Sequence, residues 1–139
     1  MLLDTIIVRQ LGLQPYKKIL LLMQILTKNR NCNTLDEIWL LQHYPVFTCG
    51  YNYNNYKLTI HNIPVIKTDR GGKITFHGPG QQIMYVLIDL HRRKISVNYL
   101  INILNYIVIN TLKKIGIDSY YSKSMPGIYV SKKKFVLLD

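Results

Sequence analysis

The stretch "RGGKITFHGPGQ", residues 70–81, sets an arginine, a lysine, a threonine and a histidine among four glycines and a proline. Alternation along an extended "KITFH" places Lys73, Thr75 and His77 on one face and Ile74 and Phe76 on the other. The apolar pair can pack downward while the threonine hydroxyl and the imidazole face a cleft. Gly71-Gly72 allows positive φ and a tight turn into this strand. Gly78-Pro79-Gly80 bends the chain away after it, with Pro79 fixing φ between two permissive residues. Glycines on both sides open the backbone to close approach, which suits an extended acyl or thioester group lying along the strand. Each part also has a plainer use. Gly-Gly makes hairpin turns, Gly-Pro-Gly makes loops, and a lone histidine more often serves structure than catalysis. The run is more specific than its parts.

The elements that must hold this stretch are legible around it. "TIIVRQ" (5–10) reads as a first strand. Pro15 suits a helix's first turn, and Tyr16, Ile19, Leu20, Met23 and Leu26 follow at helical spacing, predicting an amphipathic helix over 15–29. "EIWLLQHYPVFTCG" (37–50) reads as a strand broken at Pro45, "NNYKLTIHN" as a polar excursion and "PVIKTD" (64–69) as a short strand leading into the glycine-rich run. "QIMYVLIDL" (82–90) is almost continuously apolar, as in a strand buried on both faces. Ser96 can cap a helix to about 115 whose apolar face is Leu100, Ile103, Leu104, Ile107, Val108, Thr111, Leu112 and Ile115, with Gly116 ending it. "GIYV" (127–130) and "KFVLL" (134–138) predict a hairpin around Ser131-Lys132-Lys133. With no linker, repeat or low-complexity block, residues 1–139 read as a single catalytic-type α+β domain, with helices against a mixed sheet.

Composition narrows the partners. The formal net charge is +11, but Lys17-Lys18, Arg92-Arg93-Lys94, Lys113-Lys114 and Lys132-Lys133-Lys134 lie far apart. The chain is crowded with Ile, Asn, Lys and Tyr and has no alanine, as expected of a gene drifting toward A+T-rich codons. Scattered lysines of that origin argue against nucleic acid and leave an acidic protein as the better partner for the charge. Cys32 and Cys49 form neither a metal-ligand spacing nor a disulfide framework. The start "MLLDTIIVRQ" lacks the charge pattern of a signal peptide, and the apolar runs are too short or too interrupted to span a bilayer. A reduced, cytoplasmic protein without a membrane or metal partner is the expectation.

"QHYPVFTCG", "DRGGKITFHGPGQQIMYVLIDL" and "MPGIYVSKKKF", with the helix between the last two, resemble the lipoyl(octanoyl) transferases, also called lipoate-protein ligase B, over most of residues 40–137. The resemblance implies a biotin/lipoate protein ligase-like (class II synthetase-like) fold: a mixed sheet with helices on its outer side. It implies an acyltransferase that takes an octanoyl group from octanoyl-acyl carrier protein, through a cysteine thioester, to a lysine of lipoyl domains. Such acceptors belong to 2-oxoacid dehydrogenases and the glycine cleavage H protein, and no cofactor is needed. The family's acyl-binding segment falls on Arg70, Gly71, Gly72, Lys73, Ile74, Thr75, Phe76 and His77. Its catalytic lysine falls on Lys134, where it would lower the cysteine's pKa and reach the same cleft as Thr75 and His77.

One departure stands out. The family's nucleophile lies a few tens of residues beyond that lysine, and "KFVLLD" ends at Asp139, so the resemblance implies a fold incomplete at its C-terminus that lacks the thiol. Neither Cys32 nor Cys49 sits at the family's position, and no base can be placed beside Cys49 as a substitute. An ATP-using lipoate or biotin ligase would need an adenylate-binding loop, which is not found. A non-catalytic remnant that binds acyl carrier protein or lipoyl domains is the alternative from another class.

Overall fold

The β-branched run at the start forms strand β1 (Ile6–Gln14), longer than its first residues predict because the register slips between Gln10 and Gly12 and the chain then continues. Helix α1 (Tyr16–Asn29) starts after the extended Pro15, as the spacing requires. It carries the chain back to β2 (Asp36–His43), which pairs parallel with β1 from Ile6 opposite Asp36 to Gln14 opposite His43. A parallel neighbour demands such a crossover. The computed structural model describes residues 5–51, 53, 58–71, 73–125 and 127–136, which fall into two compact units meeting in sequence at Asp89 and Leu90.

In the first unit, Glu37, Trp39, Leu41 and His43 are buried while the residues between them are half-buried, the alternation of a pleated strand. Ile19 of α1 packs on Trp39 and Leu41, flanked by Leu11, Met23, Leu26, Ile83, Tyr85 and Leu87. Burying each of these three central side chains stabilises by roughly 1.5–3 kcal/mol. After Tyr44-Pro45 the strand resumes as β3 (Val46–Cys49). Strands β4 (Thr59–Ile60) and β5 (Ile63–Lys67) form a hairpin turned by His61 and Asn62, both at positive φ, and β5 lies parallel to β3. β6 (Thr75–His77) runs antiparallel to β3, and β7 (Ile83–Leu87) antiparallel to β2.

The resulting sheets have the orders β1-β2-β7 and β4-β5-β3-β6. His77 faces Val46 and Ile83 faces Leu41, so the five residues 78–82 lie opposite the four residues 42–45. The two breaks coincide, and the Gly80 N–H donates to Gln42 Oε1 at 2.8 Å across them. Contrary to the expectation for its apolar run, β7 is not buried on both faces. It is an end strand of its sheet, none of its residues is fully buried, and Met84 is exposed.

Two buried carboxylates start β2. Asp36 is wholly buried and accepts from Arg30 Nη1 and from the Asp89 N–H, each at 2.9 Å, while Arg30 Nη2 donates to the Leu87 carbonyl at 2.7 Å. The end of α1, the head of β2 and the end of β7 are thereby tied at one point. Glu37 accepts from Arg9 and from Trp39 Nε1, and the Arg9 hydrogen bonds hold its carboxyl below the usual range.

In the second unit, α2 (Leu90–Arg93) precedes α3 (Val97–Lys114), where Ser96 Oγ accepts from the Tyr99 N–H at 3.1 Å as the cap requires. The buried residues of α3 are Asn105 and Leu112, with Ile101 and Val108 half-buried on the same line. Leu100, Ile103 and Leu104 are half-buried, but Ile107, Thr111 and Ile115 of the predicted face are exposed. Apolar residues nearly encircle this helix, so spacing alone fits several faces and cannot choose among them. β8 (Tyr120–Ser122), β9 (Gly127–Val130) and β10 (Lys133–Val136) form an antiparallel sheet in the order β10-β9-β8. The β9–β10 turn holds Ser131 and Lys132 at positive φ, the geometry of a two-residue hairpin. Residues 137 and 138 of the predicted second strand lie outside the described residues.

Arg30→Ala leaves the Asp36 carboxylate buried with its charge uncompensated, and should cost about 3–5 kcal/mol in urea unfolding. Adding Asp36→Asn should restore part of that loss, because a neutral amide no longer demands a cation.

Candidate active site

Arg70 leaves β5 and turns back over the sheet. Its Nη2 donates to Thr48 Oγ1 at 2.8 Å, Thr75 Oγ1 at 3.0 Å, the Thr48 carbonyl at 3.0 Å and the Lys73 carbonyl at 3.1 Å, and its Nη1 donates to the Gly71 carbonyl. Nη2 carries two N–H groups, which these four oxygens share in bifurcated hydrogen bonds. The arginine thus ties the Gly71 and Lys73 carbonyls to β3 and β6.

From Thr48 the chain of hydrogen bonds continues to His77. Thr48 Oγ1 is 3.1 Å from His77 Nε2, and His77 Nδ1 is 3.1 Å from Gln81 Oε1. The amide oxygen accepts, so the proton sits on Nδ1. In the neutral ring Nε2 then accepts from the Thr48 hydroxyl, whose oxygen accepts from Arg70. This ordering presents His77 as one defined tautomer.

The His77 ring stands among others that the sequence did not single out. Tyr16, the first residue of α1, stacks on it with ring centroids 6.0 Å apart, and His43 meets it edge-on at 6.2 Å. Tyr16 also meets His43 edge-on at 5.0 Å. His43 is wholly buried, and its Nδ1–H donates to the Gln14 carbonyl at 2.9 Å, leaving Nε2 to accept from the Tyr85 hydroxyl at 2.9 Å. Burial pushes its pKa down, so this imidazole is neutral. The readable signal was its place in β2, at the end of the alternating buried series that starts at Glu37.

Of the residues expected at the acyl site, Arg70, Thr75 and His77 converge around Thr48. Lys73 is exposed and joins through its carbonyl, Ile74 is half-buried, and Gly72 lies outside the described residues. Gly71 does not use positive φ, whereas Gly80 does, at 89°. Phe76 does not pack downward: it is exposed, on the opposite face from His77, with its ring 5.2 Å from Phe47. It also crosses Gly78, where an added Cβ would lie 2.9 Å from the tip of the ring and push it aside.

Lys134, in the second unit, is exposed on β10 opposite Tyr129, and its side chain crosses the face of β9 at Gly127. Gly127 adopts φ 145°, and an added Cβ would come within 3.0 Å of the Val136 carbonyl oxygen as well as against the Lys134 chain, so the position favours glycine. Cys49 follows Thr48 and therefore faces away from His77; it is wholly buried, out of reach of a substrate. Cys32 is exposed beyond α1. Among the described residues no three His, Cys, Asp or Glu side chains group as metal ligands, and no helix is long and apolar enough to cross a membrane.

Residues 15–136 match the family model of the lipoyl protein ligase A/B catalytic domain. The chain belongs to that family. The octanoyltransferases of Escherichia coli (strain SMS-3-5 / SECEC) and Shigella boydii serotype 18 (strain CDC 3083-94 / BS512) are 52% and 51% identical over 136 residues. Each match takes in 97% of this chain, which spans 64% of the relative's length. The fold is also that of a lipoate-protein ligase A crystallised with ATP (TM-score 0.70, 15% identity, 93% of this chain and 57% of that one). P. falciparum LipL1 in complex with lipoate is similar as well (TM-score 0.64, 18% identity, 94% of this chain and 42% of that one). The expected α+β lipoate-ligase fold is thereby established for this family member.

Two measurements test the site. Thr48→Val keeps the volume but removes the hydroxyl between Arg70 and His77. It should cost about 1–3 kcal/mol and broaden or shift the His77 ring nitrogens in long-range 1H–15N spectra, because Nε2 loses its donor. For His43 the depressed native pKa sets the sign. As pH falls below about 6.5 the unfolded chain takes up a proton that the folded chain refuses, so stability declines. His43→Gln should flatten the slope of unfolding free energy between pH 7 and 5, leaving the Glu37 loss at lower pH in place.

Proposed function

We propose that the protein acts in octanoyl transfer during protein lipoylation: octanoyl-acyl carrier protein donates, and a lysine of a lipoyl domain accepts. The observation that carries this reading is β6, bounded by glycines, with Thr75 and His77 on one face and their polar atoms already ordered by Arg70 and Thr48. It occurs in a chain about half identical to octanoyltransferases. The acyl chain lies along β6, and the thioester carbonyl sits toward the His77 end. In the full reaction a thiolate attacks the thioester carbonyl and the carrier's thiol leaves. The acceptor amine then attacks the new thioester, forms the amide and releases the thiol. Lys134 supplies the cation that favours the thiolate and the developing oxyanion. Neither Cys49, buried and turned away, nor Cys32 fits the attacking thiol.

A polypeptide of these 139 residues should therefore transfer octanoyl groups far below an ordinary enzymatic rate, since a protonated lysine cannot replace the nucleophile of a covalent mechanism. Incubation with octanoyl-acyl carrier protein and a lipoyl domain, read by mass spectrometry, should show the domain's mass unchanged over minutes. Rapid octanoylation abolished by Cys49→Ser would overturn the assignment of the thiol.

A further inference from the structure

Helix α1 buries Ile19 and half-buries Tyr16, Leu20, Met23 and Leu26, yet its other side is not an ordinary solvated face. Leu21, Leu22 and Ile25 are 56%, 40% and 46% exposed. Lys17, Leu21, Ile25 and Lys28 follow one another at helical spacing along the centre of the outward face, with Lys18 beside them. The helix carries no acidic residue to balance these lysines. The two acids nearest in sequence, Asp36 and Glu37, are buried and bonded to Arg30 and Arg9. An apolar centre with a cationic end on each side is thus left open on a helix whose first residue stacks on His77.

We propose that the outward face of α1 is the docking surface for an acidic, helical protein, and that this protein is the acyl donor of the site described above, a step that rests on the proposed function. Charge decides the class. Carboxylates on a partner helix laid along α1 would pair with Lys17, Lys18 and Lys28 while an apolar residue meets Leu21 and Ile25. A second copy of this chain would set the same lysines against each other. A bilayer would have to take up Leu21 and Ile25 with ammonium groups in line with them rather than above them. Docking at this helix also brings the donor's cargo to Tyr16, the wall of the His77 cluster.

The test measures binding of octanoyl-acyl carrier protein to the full chain. Lys17→Glu with Lys18→Glu, and separately Leu21→Gln with Ile25→Gln, should each weaken binding by at least about tenfold. Lys113→Glu with Lys114→Glu, an equal change of net charge on α3, should change it less than about twofold. Binding of octanoyl-pantetheine, which has no protein surface, should be the same in all of these chains, and this also reports that they are folded. Equal losses in the two charge variants would sink the proposal. So would a lysine-dependent preference for phosphatidylserine vesicles over the carrier, or a dimer that dissociates on Leu21→Gln. If octanoyl-pantetheine fails to bind while the apo carrier still binds through Lys17 and Lys18, the docking surface stands and the reading of the acyl site falls instead.

Discussion

The architecture of the first unit hangs on a phase constraint in one bent strand. His43 and Thr48 both face the His77 ring, yet they are five residues apart, an odd number that would put them on opposite faces of an unbroken strand. The break at Tyr44-Pro45 restores the phase. Proline cannot donate to the ladder, so a break falls there naturally. The partner strand must break at the same place, and it does so through Gly78-Pro79-Gly80 with one residue more. A break in one strand alone would strand backbone groups without partners. The Gly80 N–H finds Gln42 instead, and the two bends hold each other. The glycine-proline-glycine run is therefore as much a matching hinge for Pro45 as an opening for a ligand.

The far end of the same strand needs equal control, because a slip of one residue would exchange the buried and half-buried sets. Asp36 supplies it. A carboxylate buried without compensation is costly, so the only acceptable register is the one that delivers Arg30 and the Asp89 N–H to its oxygens. From that anchored end, alternation brings Glu37, Trp39, Leu41 and His43 inward in turn. A polar residue with no part in the site thus fixes which way the site histidine points.

Much of this was legible beforehand. The helices over 16–29 and 97–114, the break at Pro45 and the hairpin after 126 follow from periodicity, capping and turn chemistry, which are local. Residues 70–77 were identifiable as a unit for the same reason. The network was not, because Thr48, His43 and Tyr16 reach His77, and Tyr85 reaches His43, through long-range contacts that no short window contains. Arg70 was expected beside a ligand, and its guanidinium is engaged by oxygens of its own chain. Sequence could mark the residue but not the direction its side chain takes. The outward sides of β7 and α3 were misjudged because a run of apolar residues reports hydrophobicity, not which neighbours are available to cover it.

Charge shows the same division between local and long-range information. The composition gives a net charge of +11, which by itself fits nucleic acid, a membrane surface or an acidic protein. The structure sorts the charges. Arg9 and Arg30 neutralise buried carboxylates, and Arg70 binds backbone carbonyls together with the Thr48 and Thr75 hydroxyls, so each of these arginines is engaged by oxygens of its own unit. Exposed lysines remain, and those of α1 are interleaved with leucine and isoleucine. A surface built for phosphate would favour the forked, bidentate guanidinium. A surface where point charges bracket an apolar centre matches a protein helix whose carboxylates are spaced along one edge. The distribution of cations by type, more than their number, separates these classes of partner.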